Sequence, residues 1–109
     1  MIDFTSRRDA FEGKFAHEES LRFKIAARRN NLLGLWAAEQ LGKSGADAAG
    51  YARSVVMADL EEPGNEDVVR KIVDDLEKAG RPVKEIDVRE MLERFALRAI
   101  EEIKSGQPS

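Results

Sequence analysis

The chain has 109 residues, 42% apolar and 36% charged, a formal net charge of −3 and no cysteine. That size admits one modest core, and the missing cysteines exclude disulfides, thiolate metal sites and cysteine nucleophiles together. No apolar run approaches the roughly 18 residues of a membrane span, and the start MIDFTSRRDAF lacks the basic-then-apolar layout of a signal peptide, so a cytoplasmic protein with no membrane insertion is expected. The charge is uneven: residues 1–41 hold seven Lys/Arg against six Asp/Glu, residues 42–109 eleven against fifteen.

Apolar residues recur with helical spacing almost throughout, and no period-two alternation is long enough to nominate a strand. Gly- and Pro-containing breaks at LGKSGA, EEPGNED and AGRPVKEID divide the chain into four helices. The first and longest is predicted from about Ser6 to Leu41, with Ser6 and Asp9 spaced as a capping box and Gly42 placed to end it. The second is predicted over about 46–60, with Ser44 and Asp47 as its capping box and Ala48, Ala52, Val55, Val56 and Leu60 buried. The third starts near Asn65, carries Glu66 and Asp67 in its positive first turn, repeats Val69, Ile72, Val73 and Leu76 on one face, and stops at Gly80 and Pro82. The fourth opens at Asp87 with Glu90 three residues on, Ile86 and Met91 spaced as a hydrophobic staple, and a stripe of Val88, Met91, Leu92, Phe95, Ala99 and Ile103. Short connections favour antiparallel neighbours, hence an all-α fold: a small four-helix bundle over 19–104, with a polar, flexible tail at 105–109.

The opening stretch FTSRRDAFEGKFAHEE holds three of the five phenylalanines. At about 100° per residue, Phe4, Phe11 and Phe15 fall within about 40° of one another, while Leu21, Ile25, Leu32 and Trp36 cluster roughly 70° away. The seam also begins before the turn at which the shorter helices end. Burying three phenylalanines contributes about 5–9 kcal/mol, whereas fixing some fourteen backbones costs about 1–2 kcal/mol apiece, and Gly13 weakens the helix by a further 1 kcal/mol or so. Residues 1–18 are therefore expected to be flexible when unbound and to become helical in a partner's groove. The alternative is an ordinary first helix that packs its seam on its own bundle.

AARRNNLLGLWAAEQLG (26–42), ADLEEPGNEDVVRK (58–71) and the opening RRDAFEGKFAHEESLRFK make the chain resemble, over nearly its whole length, the zeta subunit family of alphaproteobacterial F-type ATP synthases. The resemblance implies a four-helix regulatory subunit, with no catalysis of its own, that inhibits ATP hydrolysis by the rotary enzyme through its N-terminal segment, much as the mitochondrial inhibitor protein does. Its partner would be the catalytic head, with alpha, beta and gamma subunits, which places it peripheral to the inner membrane when bound; free, it is expected to be a monomer. Phe4, Phe11 and Phe15 would fill a groove at a catalytic interface and Arg7, Arg8 and Lys14 would pair with acidic groups at its rim. Two positions depart from the family pattern: Gly13, where alanine is usual, and Val69, where an aromatic is common.

Other signals have plainer readings. LGKSG lacks the first glycine of a phosphate loop, since position 37 is Ala37, and has no preceding strand. The resemblance leaves room for weak nucleotide contact at Arg28, Arg29 and Asn30, though a solvated helix face is the simpler reading. His17 is the only histidine, which excludes paired-imidazole metal sites and, with its place in the leading segment, a Ser-His-Asp set. The acidic residues Asp59, Glu61, Glu62, Glu66 and Asp67 lack calcium-loop spacing and read as solvated. No metal or other cofactor is expected. The competing function is a small helical nucleic-acid- or nucleotide-binding regulator using Arg22, Lys24, Arg28 and Arg29; the acidic remainder disfavours it.

Overall fold

The computed structural model describes residues 4–61 and 64–105, and the side chains of 19–60 and 64–105. These form four helices and, among the described residues, no strand: α1 (Phe4–Gln40), α2 (Gly45–Glu61), α3 (Asn65–Lys78) and α4 (Glu85–Lys104). α1 packs chiefly on α2 and α4 and touches α3; α2 meets α3, and α3 meets α4. The shared core is Leu33 and Ala37 of α1, Val55 of α2, Val68, Val69, Ile72 and Leu76 of α3, and Val88 and Leu92 of α4, with Trp36, Leu41, Tyr51, Val73, Val83, Met91 and Phe95 packed around it.

Glycines stop α1 and α3 in the same way. Gly42 (φ 78°) and Gly80 (φ 75°) take the left-handed conformation that costs an L side chain energy but glycine nothing. Each terminus closes as a Schellman pair: Gly42 N–H donates to Glu39 O (3.0 Å) and Lys43 N–H to Ala38 O (2.9 Å); Gly80 N–H donates to Glu77 O (3.0 Å) and Arg81 N–H to Leu76 O (2.9 Å). The helices start within two residues of the expected positions, but the expected caps fare less well. α1 begins two residues before Ser6, and the Ser6 side chain lies outside the described residues. At α2, Ser44 accepts from Ala48 N–H through its main-chain carbonyl (3.4 Å). α3 follows Gly64 and α4 follows Lys84, neither with a side-chain cap. Because α4 already includes Glu85, Ile86 sits inside the first turn instead of before it, and at 59% exposure it forms no staple with Met91.

The α1–α2 crossing is the tightest in the molecule's described glycines. A Cβ on Gly34 would lie 2.6 Å from Ala52 Cα and 3.1 Å from Ala52 Cβ, so the absence of a side chain sets how closely the two backbones approach. The resulting burial differs from the expected stripe. On α1, Asn30, Leu32, Leu33, Gly34, Ala37 and Ala38 are buried. The centre of Asn30, Leu33, Gly34 and Ala37 lies about 140° from the Leu21–Trp36 stripe and roughly 70° from the direction of the phenylalanine seam. Gripped by α2 on one side and α4 on the other, α1 buries a broad arc, and direction on the helix wheel does not separate the seam from the core. On α3, Val68 is fully buried beside the expected Val69, Ile72 and Leu76. On α2, Leu60 is 46% exposed: it lies in the last turn, where the bundle ends.

Length separates what direction does not. α2 and α4 both run antiparallel to α1, with Gly34 against Ala52 and Arg28 paired to Glu102. Counting outward from those contacts, α2 (ending at Glu61) and α4 (ending at Lys104) stop alongside about residues 24–26 of α1. The helix continues to Phe4, roughly 30 Å farther at 1.5 Å per residue, in keeping with a longest dimension of 66 Å against 25 and 21 Å.

Candidate functional site

The site consists of the leading segment of α1 and the root from which it leaves the bundle. Phe4, Arg7, Arg8, Phe11, Lys14, Phe15 and His17 carry the sequence-based expectations for the segment, and their side chains lie outside the described residues. The root can be built atom by atom. Glu19 and Ser20 are exposed, Leu21 and Ile25 half-buried, and Arg22, Phe23 and Lys24 exposed, which marks the level at which α1 passes from solvent into the bundle.

Two arginines at that level are turned inward to neighbouring helices. Arg28 holds Glu102 of α4 with two bonds, Nε to Oε2 at 2.6 Å and Nη2 to Oε1 at 3.3 Å, and Arg98 approaches the same carboxylate at 3.4 Å. The hydrogen bond from Arg28, ahead of the opposing effect of burial, holds the Glu102 carboxyl below the usual carboxylate range. Arg29 donates from Nε to Asn30 Oδ1 (3.1 Å) and lies 3.9 Å from Asp59 of α2; burial lowers its pKa, and Asp59 partly offsets that. Asn30 is only 1% exposed, and its Nδ2 has no hydrogen-bond partner among the described residues. A buried unpaired amide donor costs about 1–3 kcal/mol.

These placements change the reading of the basic run. Asn30 is enclosed, so it presents nothing to a nucleotide, and Arg29 is half-buried against Asp59. Arg28 still borders a shallow cavity of about 430 Å³ with Ala27, Asn31, Ala49, Arg53 and Val56. Its second cation is Arg53 of α2. Sequence reasoning missed Arg53 because nothing in the spacing of α1 indicates which residue of α2 will stand beside it. The acidic residues are likewise engaged: Asp59 accepts from Gly64 N–H (3.4 Å), Glu66 from Arg89, and Asp67 lies 3.6 Å from Arg70, while Glu61, Glu62 and Pro63 have no described side chains. Among the described residues no group of three or more His, Asp or Glu side chains is placed to hold a metal, and no helix is long and apolar enough to cross a membrane.

A small bundle whose longest helix runs well past its neighbours, with ion pairs fixing the exit point, defines a helical protein that presents one helix to its surroundings. The family model for ATPase inhibitor subunit zeta matches residues 1–102, and the chain belongs to that family. It is similar to a protein solved in solution by NMR, with 45% identity over 79% of this chain and 98% of that one and a TM-score of 0.69. No curated protein matches it. Family membership gives the chain the character of a regulatory inhibitor subunit.

Proposed function

We propose that the protein restrains ATP hydrolysis by the F-type ATP synthase, with residues 1–18 as an inhibitory arm and residues 19–104 as the bundle that anchors it. The observation that carries the reading is the family match over residues 1–102 together with a helix that outruns its own bundle. Rotary catalysis requires each catalytic interface of the head to open and close in turn, and a helix wedged into one interface arrests the cycle. Phe4, Phe11 and Phe15 supply the apolar area that enters a groove at a catalytic interface of the head, and Arg7, Arg8 and Lys14 pair with carboxylates at its rim. The protein then works in the cytoplasm, held at the inner membrane through the synthase.

The test is ATPase activity of the matched synthase with the full chain, with residues 1–18 deleted, and with the Phe11→Ala, Phe15→Ala double variant. Deletion is expected to abolish inhibition. The double variant should lower it while far-UV circular dichroism and melting of the bundle stay as they were; full inhibition by either protein would remove the arm from the mechanism.

A weak nucleotide contact is a second reading, and the cavity between α1 and α2 favours assigning it to Arg28 and Arg53 in place of Arg29 and Asn30. Arg53→Ala should then weaken nucleotide binding in a titration calorimeter, whereas Arg29→Ala should not. Nucleic-acid binding by the run from Arg22 to Arg29 gains nothing from the structure, since Arg28 and Arg29 are already paired to carboxylates; a gel shift at low salt would reveal it.

A further inference from the structure

Asn30, with its unpaired amide, lines a small cavity. This cavity, of about 20 Å³, lies between α1 and the last turns of α2, lined by Phe23, Ala26, Ala27, Asn30, Val56, Asp59 and Leu60. One water needs roughly 10–15 Å³ by this measure and two to four polar partners, so the space suits a single molecule. The walls offer two polar side chains, Asn30 and Asp59, and are otherwise apolar.

The orientation of Asn30 is set from outside the cavity. Arg29 Nε–H donates to Asn30 Oδ1 at 3.1 Å; turning the amide over would set Nδ2–H against that donor, so Nδ2 must be the end left to find an acceptor. Asp59 is a carboxylate with about four acceptor positions. Its described partners are Gly64 N–H at 3.4 Å and Arg29 Nη2 at 3.9 Å, which leave acceptor capacity on its oxygens.

We infer that this cavity is a binding site for one water molecule, which accepts a hydrogen bond from Asn30 Nδ2 and donates one to the Asp59 carboxylate. The water completes a chain of Arg29, Asn30, water and Asp59 that ties α1 to the end of α2 at the last level where the bundle flanks α1. It reaches bulk solvent past Phe23 and Leu60, which are 56% and 46% exposed, and it is independent of whatever the arm binds.

Water-selective NOE and ROE spectra of the isotopically labelled full chain test the site directly. Cross-peaks between water and the Asn30 Hδ2 protons, with the NOE sign of a long-lived bound molecule, are expected. In Asp59→Ala, a position outside the shared core, those cross-peaks should vanish or take the sign of fast surface hydration. Asn30 Hδ2 protons with no water contact beyond chemical exchange in the unmodified protein would overturn the site; cross-peaks unchanged in Asp59→Ala would overturn the bridge to Asp59.

Discussion

The contact between α1 and α2 and the outer edge between α3 and α4 hold helices together by different physics. At Gly34 and Ala52 two backbones meet with no side chain between them, so the contact is dry, short-range and intolerant of added volume. At the α3–α4 edge Arg89 spans Glu66 (2.8 Å) and Glu85 (2.6 Å) in solvent, with the Glu66 side chain 68% exposed. Charges in water gain little from pairing because solvent screens them and ordering long side chains costs entropy. Shape therefore fixes where α1 lies, while the charged edge tunes a hairpin already held by Val68, Val69, Ile72 and Val88. Under the proposed function this matters, since the contact at Gly34 and Ala52 holds the bundle half of α1 from which the proposed arm leaves.

The comparison breaks most clearly at Leu33, which is fully buried in the shared core. Leu33→Ala should cost about 2–5 kcal/mol, read from the urea midpoint. Next comes a pair of opposite sign. Gly34→Ala gains about 1 kcal/mol of helix propensity but forces a methyl onto the Ala52 backbone, an overpacking cost of about 1–3 kcal/mol or more, so the melting temperature should fall. Gly50→Ala, where a new Cβ meets nothing within 4 Å, should raise it by the equivalent of about 0.5–1 kcal/mol. Equal responses at the two glycines would mean that the close crossing is not what positions α1.

Titration sharpens the contrast further. Glu102 has a folded pKa below its ordinary 4.5, so its contribution to stability is complete above that value and is lost as pH falls through the depressed one. Tyr51 is the mirror case. Burial first, then its hydroxyl bond to Asp75 (2.8 Å), raises its pKa above the ordinary 10.0. The unfolded chain therefore ionises first as pH rises past 10.0, and the tyrosine's contribution fades above that point. Melting temperature against pH should lose part of its acid slope in Glu102→Gln and part of its alkaline slope in Tyr51→Phe. The smallest effect is expected at Arg89→Ala, which should shift the melting temperature no more than added salt does in the unmodified protein.

Part of this architecture was legible in the sequence. The ends of α1 and α3 were, because Gly42 and Gly80 occupy a backbone conformation that other residues avoid, and a glycine followed by Lys43 or by Arg81 and Pro82 says so locally. The helix starts were legible to within two residues, but the caps were not: α3 and α4 begin without a side-chain cap, and α4 begins early enough to carry Ile86 into its first turn. Among the candidate site residues, Arg28 and Arg29 were marked as a basic run, but their turn toward Glu102 and Asp59, residues 74 and 30 positions away in sequence, was beyond local reading. So was the enclosure of Asn30, a polar side chain that composition places at the surface.

By itself the sequence determined four helices, the glycine stops of α1 and α3 and the great length of the first, because hydrophobic period and backbone propensity act over a few residues and are written in them. Only the tertiary structure decided which side of α1 is buried, that Gly34 sets its distance from α2, that Arg53 joins Arg28 at one cavity, and where the bundle stops flanking the helix. Those are properties of which helices meet and at what level, and burial follows from the neighbours a side chain acquires across the whole fold.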